Sequence, residues 1–192
     1  MRQETKKLAV VFPGIGYTKD KPLLYYASKL VKSRGYEVIY IEYHNLPAKI
    51  QGNPEMMKKA AELAFAQTEE QLKDVAFTEY EDVIFIGKSI GTVIQAKYAA
   101  EQGIKAGQIW YTPVEATFSF NSQDVLAFIG DADPWSDYET VKRLAEAQGV
   151  KLYTFEGCNH SLETDDVLEN VARVETVMQM TANYGGLACV KG

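Results

Sequence analysis

The chain has 192 residues, 46% of them hydrophobic and 24% charged, ordinary values for a globular protein long enough to bury one core. Its formal net charge of -6 argues against a nucleic-acid binder, which carries a basic face. Two cysteines, Cys158 and Cys189, are too few for a disulfide framework, and the polar start of the chain is followed only by a strand-length apolar run. The expectation is one domain over 1–192 in a reduced, cytoplasmic setting, with no membrane span and with both cysteines as small packing residues.

Residues 8–12 form an unbroken apolar run that stops at Pro13-Gly14, as a strand buried on both faces would. A loop, 13–17, follows. Leu23, Ala27, Leu30 and Val31 then recur at helical spacing, and Gly35 stands where a helix ends. A second strand covers 38–41, and 46–52 is a loop. Asn53-Pro54 opens the next helix, since asparagine caps free amides and proline suits the first turn. Met56, Ala60, Leu63 and Ala64 mark its buried face. The third strand, 83–86, runs into a helix whose alanines, Ala96, Ala99 and Ala100, permit close packing and which closes near Gly103. A fourth strand, 109–111, is cut by Thr112-Pro113, and a long connection carries Phe118 and Phe120. The fifth strand, 125–129, ends at Gly130. Ser136 with Glu139 reads as a capping box, and Val141, Leu144 and Ala145 form the inner stripe of a helix ended by Gly149. The sixth strand is 152–155. A last helix starts near Asp165 with Val167, Val171, Val174 and Met178 on one side, and 183–192 reads as a loose tail.

Six strands alternating with helices give an α/β fold: a parallel sheet with helices on both faces. Right-handed crossovers favour the strand order 2-1-3-4-5-6. Ligands in such sheets bind at the carboxyl ends of the strands, beside the reversal between strands 1 and 3. The loop 13–17 and Ser89 meet there.

Gly87-Lys88-Ser89-Ile90-Gly91 lies on that strand–turn–helix junction, the setting of a nucleophile elbow. A serine hydroxyl needs a base within hydrogen-bond reach. Only His44 and His160 are present. His160 follows the last strand and fits the order serine, acid, histidine; His44 follows strand 2, on the far side of strand 1, and reads as a surface residue. The base needs a carboxylate. Asp133 is favoured over Asp131, which stands nearer the strand end and suits a turn-holding role. The backbone N–H of Ile90, and that of Ile15 or else Gly16, would hold an oxyanion. Aromatic residues near strand ends, Tyr17, Trp110 and Trp135, are candidates to line a substrate pocket. Gly14-x-Gly16 lacks the third glycine of a dinucleotide loop, and Cys158 two before His160 has no second pair to make a metal motif, so no cofactor or metal is expected.

In these residues the chain resembles the α/β-hydrolase superfamily. Pro13-Gly14-Ile15-Gly16, Gly87-Lys88-Ser89-Ile90-Gly91, Gly130-Asp131-Ala132-Asp133 and Asn159-His160-Ser161-Leu162 follow successive strands in the family's order. The resemblance implies a triad of Ser89, Asp133 and His160, and the family's Gly-x-x-Asp turn supports Asp133. It also implies departures: the first two strands of the family core are missing, Pro13-Gly14 replaces His-Gly, and no insertion after strand 4 could form a lid. The chain looks most like the small esterase and dienelactone-hydrolase-like members, with an open, shallow site.

The function expected from this reading is a serine hydrolase of a small carboxylic ester or thioester. An acyltransferase, or a non-catalytic binding protein on the same fold, are the alternatives. The expected partner is a small-molecule ester or acyl substrate; a homodimer is compatible with the sequence, which does not fix the oligomeric state.

Overall fold

The computed structural model describes residues 5–47 and 50–187. Six strands, β1 (Lys7–Phe12), β2 (Tyr36–Tyr40), β3 (Asp82–Lys88), β4 (Gly107–Tyr111), β5 (Val125–Gly130) and β6 (Lys151–Phe155), make one sheet in the order β2-β1-β3-β4-β5-β6. Every pairing in it is parallel. The helices are α1 (Pro22–Ser33), α2 (Pro54–Leu72), α3 (Ile90–Gln102), α4 (Tyr138–Gln148) and α5 (Val167–Ala182).

The central strands are apolar at successive positions because each face of the sheet is covered. Ala9 and Val11 of β1, with Ile84 and Ile86 of β3, pack towards α1 and α5. The intervening Leu8, Val10, Phe12, Val83 and Phe85 pack towards α2 and α3. Phe85 is fully buried and its ring lies 5.1 Å from that of Phe12. Truncating such a side chain to alanine costs about 3–5 kcal/mol.

Several local expectations shift. In α2 the buried residues are Ala60, Ala64, Thr68 and Leu72, an i, i+4 row, with Phe65 beside it, and Leu63 is 38% exposed. Asn53 does cap this helix, accepting from the Met56 amide at 3.1 Å. In α3, Ala96 and Ala99 are buried and Ala100 is exposed. The cap of α4 is Asp137, whose carboxylate accepts from the Thr140 amide at 2.7 Å. The Ser136 hydroxyl instead donates to the Pro113 carbonyl.

α5 meets the sheet through its C-terminal half, where Val177 is buried and Thr181 shares a hydrogen bond with the Tyr111 hydroxyl. Val167 and Val171 therefore look outward, at 71% and 64% exposure, and only Met178 of that side packs on the core. Residues 183–187 are not a loose tail. Tyr184 and Leu187 are buried, and the Tyr184 hydroxyl accepts from the Gln108 amide while donating to the Asp124 carbonyl. Cys189 and the rest of 188–192 lie outside the described residues.

Candidate active site

Ser89 joins β3 to α3 with φ 55° and ψ -125°. Side-chain-bearing residues avoid this region, at a cost of about 1–3 kcal/mol. Neighbours hold it there. The Ser89 amide donates to the Tyr111 carbonyl at 3.0 Å, and the Thr92 amide and hydroxyl donate to the Ser89 carbonyl at 2.8 and 2.7 Å. A Cβ on Gly91 would fall 2.2 Å from the Phe12 carbonyl oxygen. Only glycine lets the first turn of α3 lie against the end of β1.

The loops after β5 and β6 bring two more side chains to Ser89. The Nε2 of His160 is 2.7 Å from the Ser89 hydroxyl, and its Nδ1 is 2.6 Å from Asp133 Oδ2. A neutral ring satisfies both contacts with its proton on Nδ1: it donates to the carboxylate and accepts from the serine. Asp133 is buried, and its other oxygen accepts from the Trp135 amide at 2.8 Å. Trp135 also stacks on the imidazole at 5.7 Å between ring centres. Asn159 shapes the histidine loop, its side-chain oxygen accepting from the Ser161 and Glu163 amides. That brief polar pattern is an asparagine turn, a signal present in the sequence.

Asp131 does not reach His160. Its carboxylate accepts from the Gly157 amide at 2.6 Å and holds the turn after β6. His44 lies beside a separate hollow with Lys19 and Glu42, and its backbone pairs with the Gln67 side chain. Cys158 is buried, with its thiol towards the Glu156 carbonyl.

A cavity of about 540 Å³ opens over Ser89 and His160. Ile15, Gly16, Tyr17, Ile90 and Trp135 line it. Gly14 and Tyr17 exchange amide–carbonyl bonds, closing a turn that leaves the Ile15 and Gly16 amides outside the pairing. Trp110 does not line the cavity. It is fully buried, edge-on to Phe118, with its indole N–H donating to Gln108 Oε1 at 3.0 Å. An aromatic residue inside a parallel strand belongs to the core before it can reach a pocket. Another part of the lining is mostly apolar: Ile50 ahead of α2, Pro54, Met57 and Ala61 in its first two turns with Lys58 among them, and Val93, Val114 and Ala116. Gln51 ties this wall to the site by donating to the Pro134 carbonyl at 3.3 Å. The site is thus a largely apolar cavity that opens to the surface.

The electrostatics favour a neutral imidazole. Burial lowers the His160 pKa, the Asp133 hydrogen bond works against that, and Lys88 lowers it further. Lys88 is itself fully buried, and loss of solvent brings its ammonium down to about 7 although Asp133 and Glu163 oppose the fall. The Tyr17 phenol is pushed up to about 12, chiefly by burial, and accepts from the Leu23 amide.

No protein-family model matches the sequence, and no curated protein does. Solved structures do match. An α/β serine hydrolase homologue from Coxiella burnetii superposes with a TM-score of 0.63 at 18% identity, covering 93% of this chain and 84% of that one. A lidless α/β serine hydrolase from Xanthomonas campestris gives 0.62 at 15% identity, over 94% and 83%. Est1E from Butyrivibrio proteoclasticus, in a structure holding ferulic acid, gives 0.64 at 16% identity, over 94% and 90%. With its six parallel strands in the order β2-β1-β3-β4-β5-β6 and these likenesses over nearly its whole length, the chain has the α/β-hydrolase fold.

Proposed function

We propose that the protein is a serine hydrolase that cleaves a small carboxylic ester or thioester through an acyl-enzyme on Ser89. The observation that carries this reading is the hydrogen-bonded row Ser89–His160–Asp133 at the floor of an apolar cavity. His160 Nε2 takes the Ser89 proton as the oxygen attacks the substrate carbonyl. Asp133 keeps the ring in the required tautomer and stabilises its charged form. The Ile90 amide, at the start of α3, and the amide of Ile15 or Gly16 hold the oxyanion of the tetrahedral intermediate. The imidazolium then protonates the leaving alcohol or thiol. In the second half, His160 takes a proton from water, whose oxygen attacks the acyl carbon and frees Ser89.

The apolar lining supports an acyl or aryl group as the part of the substrate that is buried. The ferulic acid held by Est1E and the serine-hydrolase descriptions of the other similar structures support the same class. Hydrolysis of p-nitrophenyl acetate by wild type and Ser89→Ala tests it. Wild type turns the ester over and the variant falls to the uncatalysed rate. Equal rates for the two proteins would overturn the assignment.

A further inference from the structure

The helices α1 and α5, side by side on one face of the sheet, turn an apolar surface to solvent. Seven large hydrophobic residues are exposed among the described residues, and five of them, Tyr25, Tyr26, Val167, Leu168 and Val171, belong to these two helices. Between the helices runs an open groove of about 860 Å³, with Pro22 and Tyr26 on one side and Val167, Val171, Val174 and Met178 on the other. Exposed apolar surface gathered in one place marks an interaction site. The charges around it are divided by helix. Residues 19–34 carry Lys19, Lys21, Lys29, Lys32 and Arg34 against Asp20. Residues 163–182 carry Glu163, Asp165, Asp166, Glu169 and Glu175 against Arg173. Among the described residues no ion pair joins the basic helix to the acidic one: Lys29 lies over its own Tyr25 ring, and Glu169 pairs with Arg173 of the same helix.

Such a face is complementary to itself. α1 and α5 each leave the carboxyl end of a strand in one parallel sheet, so they run in the same direction. Arg34, just past the end of α1, donates to the Ala182 carbonyl at the end of α5 at 2.7 Å, so the two helices end level. Counting back from that contact, Lys29 and Glu175 stand at nearly the same height. Glu175 lines the groove, and Lys29 lies one turn after Tyr26 on its side of α1. A two-fold axis along the groove keeps that height and lays α1 of each copy on α5 of the other. A two-fold axis across the groove would set α1 on α1 and α5 on α5, like charge on like. We propose that the α1–α5 face is the interface of an isologous homodimer, with Tyr25 and Tyr26 against the apolar stripe of the other copy's α5 and Lys29 opposite Glu175 of the partner subunit, each contact made twice. This goes beyond the hydrolase reading and does not rest on it.

The test is sedimentation equilibrium of the full chain at concentrations up to about 0.1 mM, enough to populate a specific dimer. Wild type sediments as two chains. Val171→Asp, in the middle of the apolar stripe, sediments as one, with an unchanged circular-dichroism spectrum. Lys29→Glu and Glu175→Lys each raise the dimer Kd by about tenfold, because an ion pair becomes a repulsion at two symmetric places. The two reversals combined in one chain restore the wild-type Kd. Val171, Lys29 and Glu175 are all exposed, so these substitutions leave the fold in place. A wild type that stays a single chain overturns the proposal and leaves the face to some other macromolecule. A dimer that Val171→Asp leaves intact overturns it, as do single reversals without effect or a loss that the double reversal does not restore. Sedimentation needs no turnover, so its failure leaves the role of Ser89 untouched.

Discussion

A Cβ placed on Gly130 would lie 2.1 Å from the carbonyl oxygen of Cys158. The loop that carries His160 thus lies directly on the end of the strand that leads to Asp133, and the Ala132 amide donates to the same Cys158 carbonyl at 3.1 Å. The acid and the base are brought together by this backbone contact before their side chains meet. Gly130→Ala is expected to destabilise the protein by about 2–3 kcal/mol through overpacking. Because the displaced backbone carries His160, the activity loss should exceed what unfolding explains. Thermal melts together with kcat on the folded fraction check this.

The two neighbouring aspartates should separate cleanly. Asp133→Asn keeps the shape but loses the charge that fixes the imidazole, and kcat should fall by about 10⁴-fold. Asp131→Asn weakens only the bond to the Gly157 amide. It should cost about 1 kcal/mol of stability and leave kcat within about threefold. Equal losses of kcat would mean that the acid had been misassigned.

Ala61 lines the cavity wall and is half-buried. Ala61→Trp should fill space used by longer acyl chains while sparing the shortest. Hydrolysis of p-nitrophenyl octanoate should drop by about 10-fold or more relative to p-nitrophenyl acetate, the discrimination expected of a blocked apolar pocket. A uniform effect along the ester series would place the acyl group elsewhere.

The pH dependence follows from the lowered His160 pKa. Burial is the main cause, and the base remains neutral below the ordinary histidine value of about 6.5. The acid limb of kcat/KM should therefore lie below pH 6.5. Stability runs the same way. Below about pH 6.5 the unfolded chain binds a proton that the folded His160 resists, so unfolding becomes easier as pH falls towards the folded pKa. Denaturant melts across this range, with His160→Gln as the control, measure that contribution.

Much of this fold was legible because its strands are continuous apolar runs and its turns are punctuated by glycine and proline. The strand order follows from six alternations and the handedness of crossovers. Ser89, Asp133 and His160 stood out because each lies just past a strand end, where a parallel sheet gathers loops. The wall of the cavity was not legible. Met57 and Ala61 sit on a helix that also sends Ala64, Phe65 and Leu72 into the core, and periodicity does not distinguish a side chain facing a pocket from one facing the sheet. Trp110 failed the other way: full burial in β4 placed it against Phe118 and away from the site. The outward side of α5 has the same source, since an apolar stripe does not say how far along a helix the sheet extends.

The most direct measurement is the mass of the intact protein after treatment with a fluorophosphonate, followed by peptide mapping. The account predicts one adduct per chain, on the Ser89 oxygen, abolished in Ser89→Ala and strongly slowed in His160→Ala. An unmodified wild-type protein that is demonstrably folded, or an adduct that persists in Ser89→Ala, would contradict it.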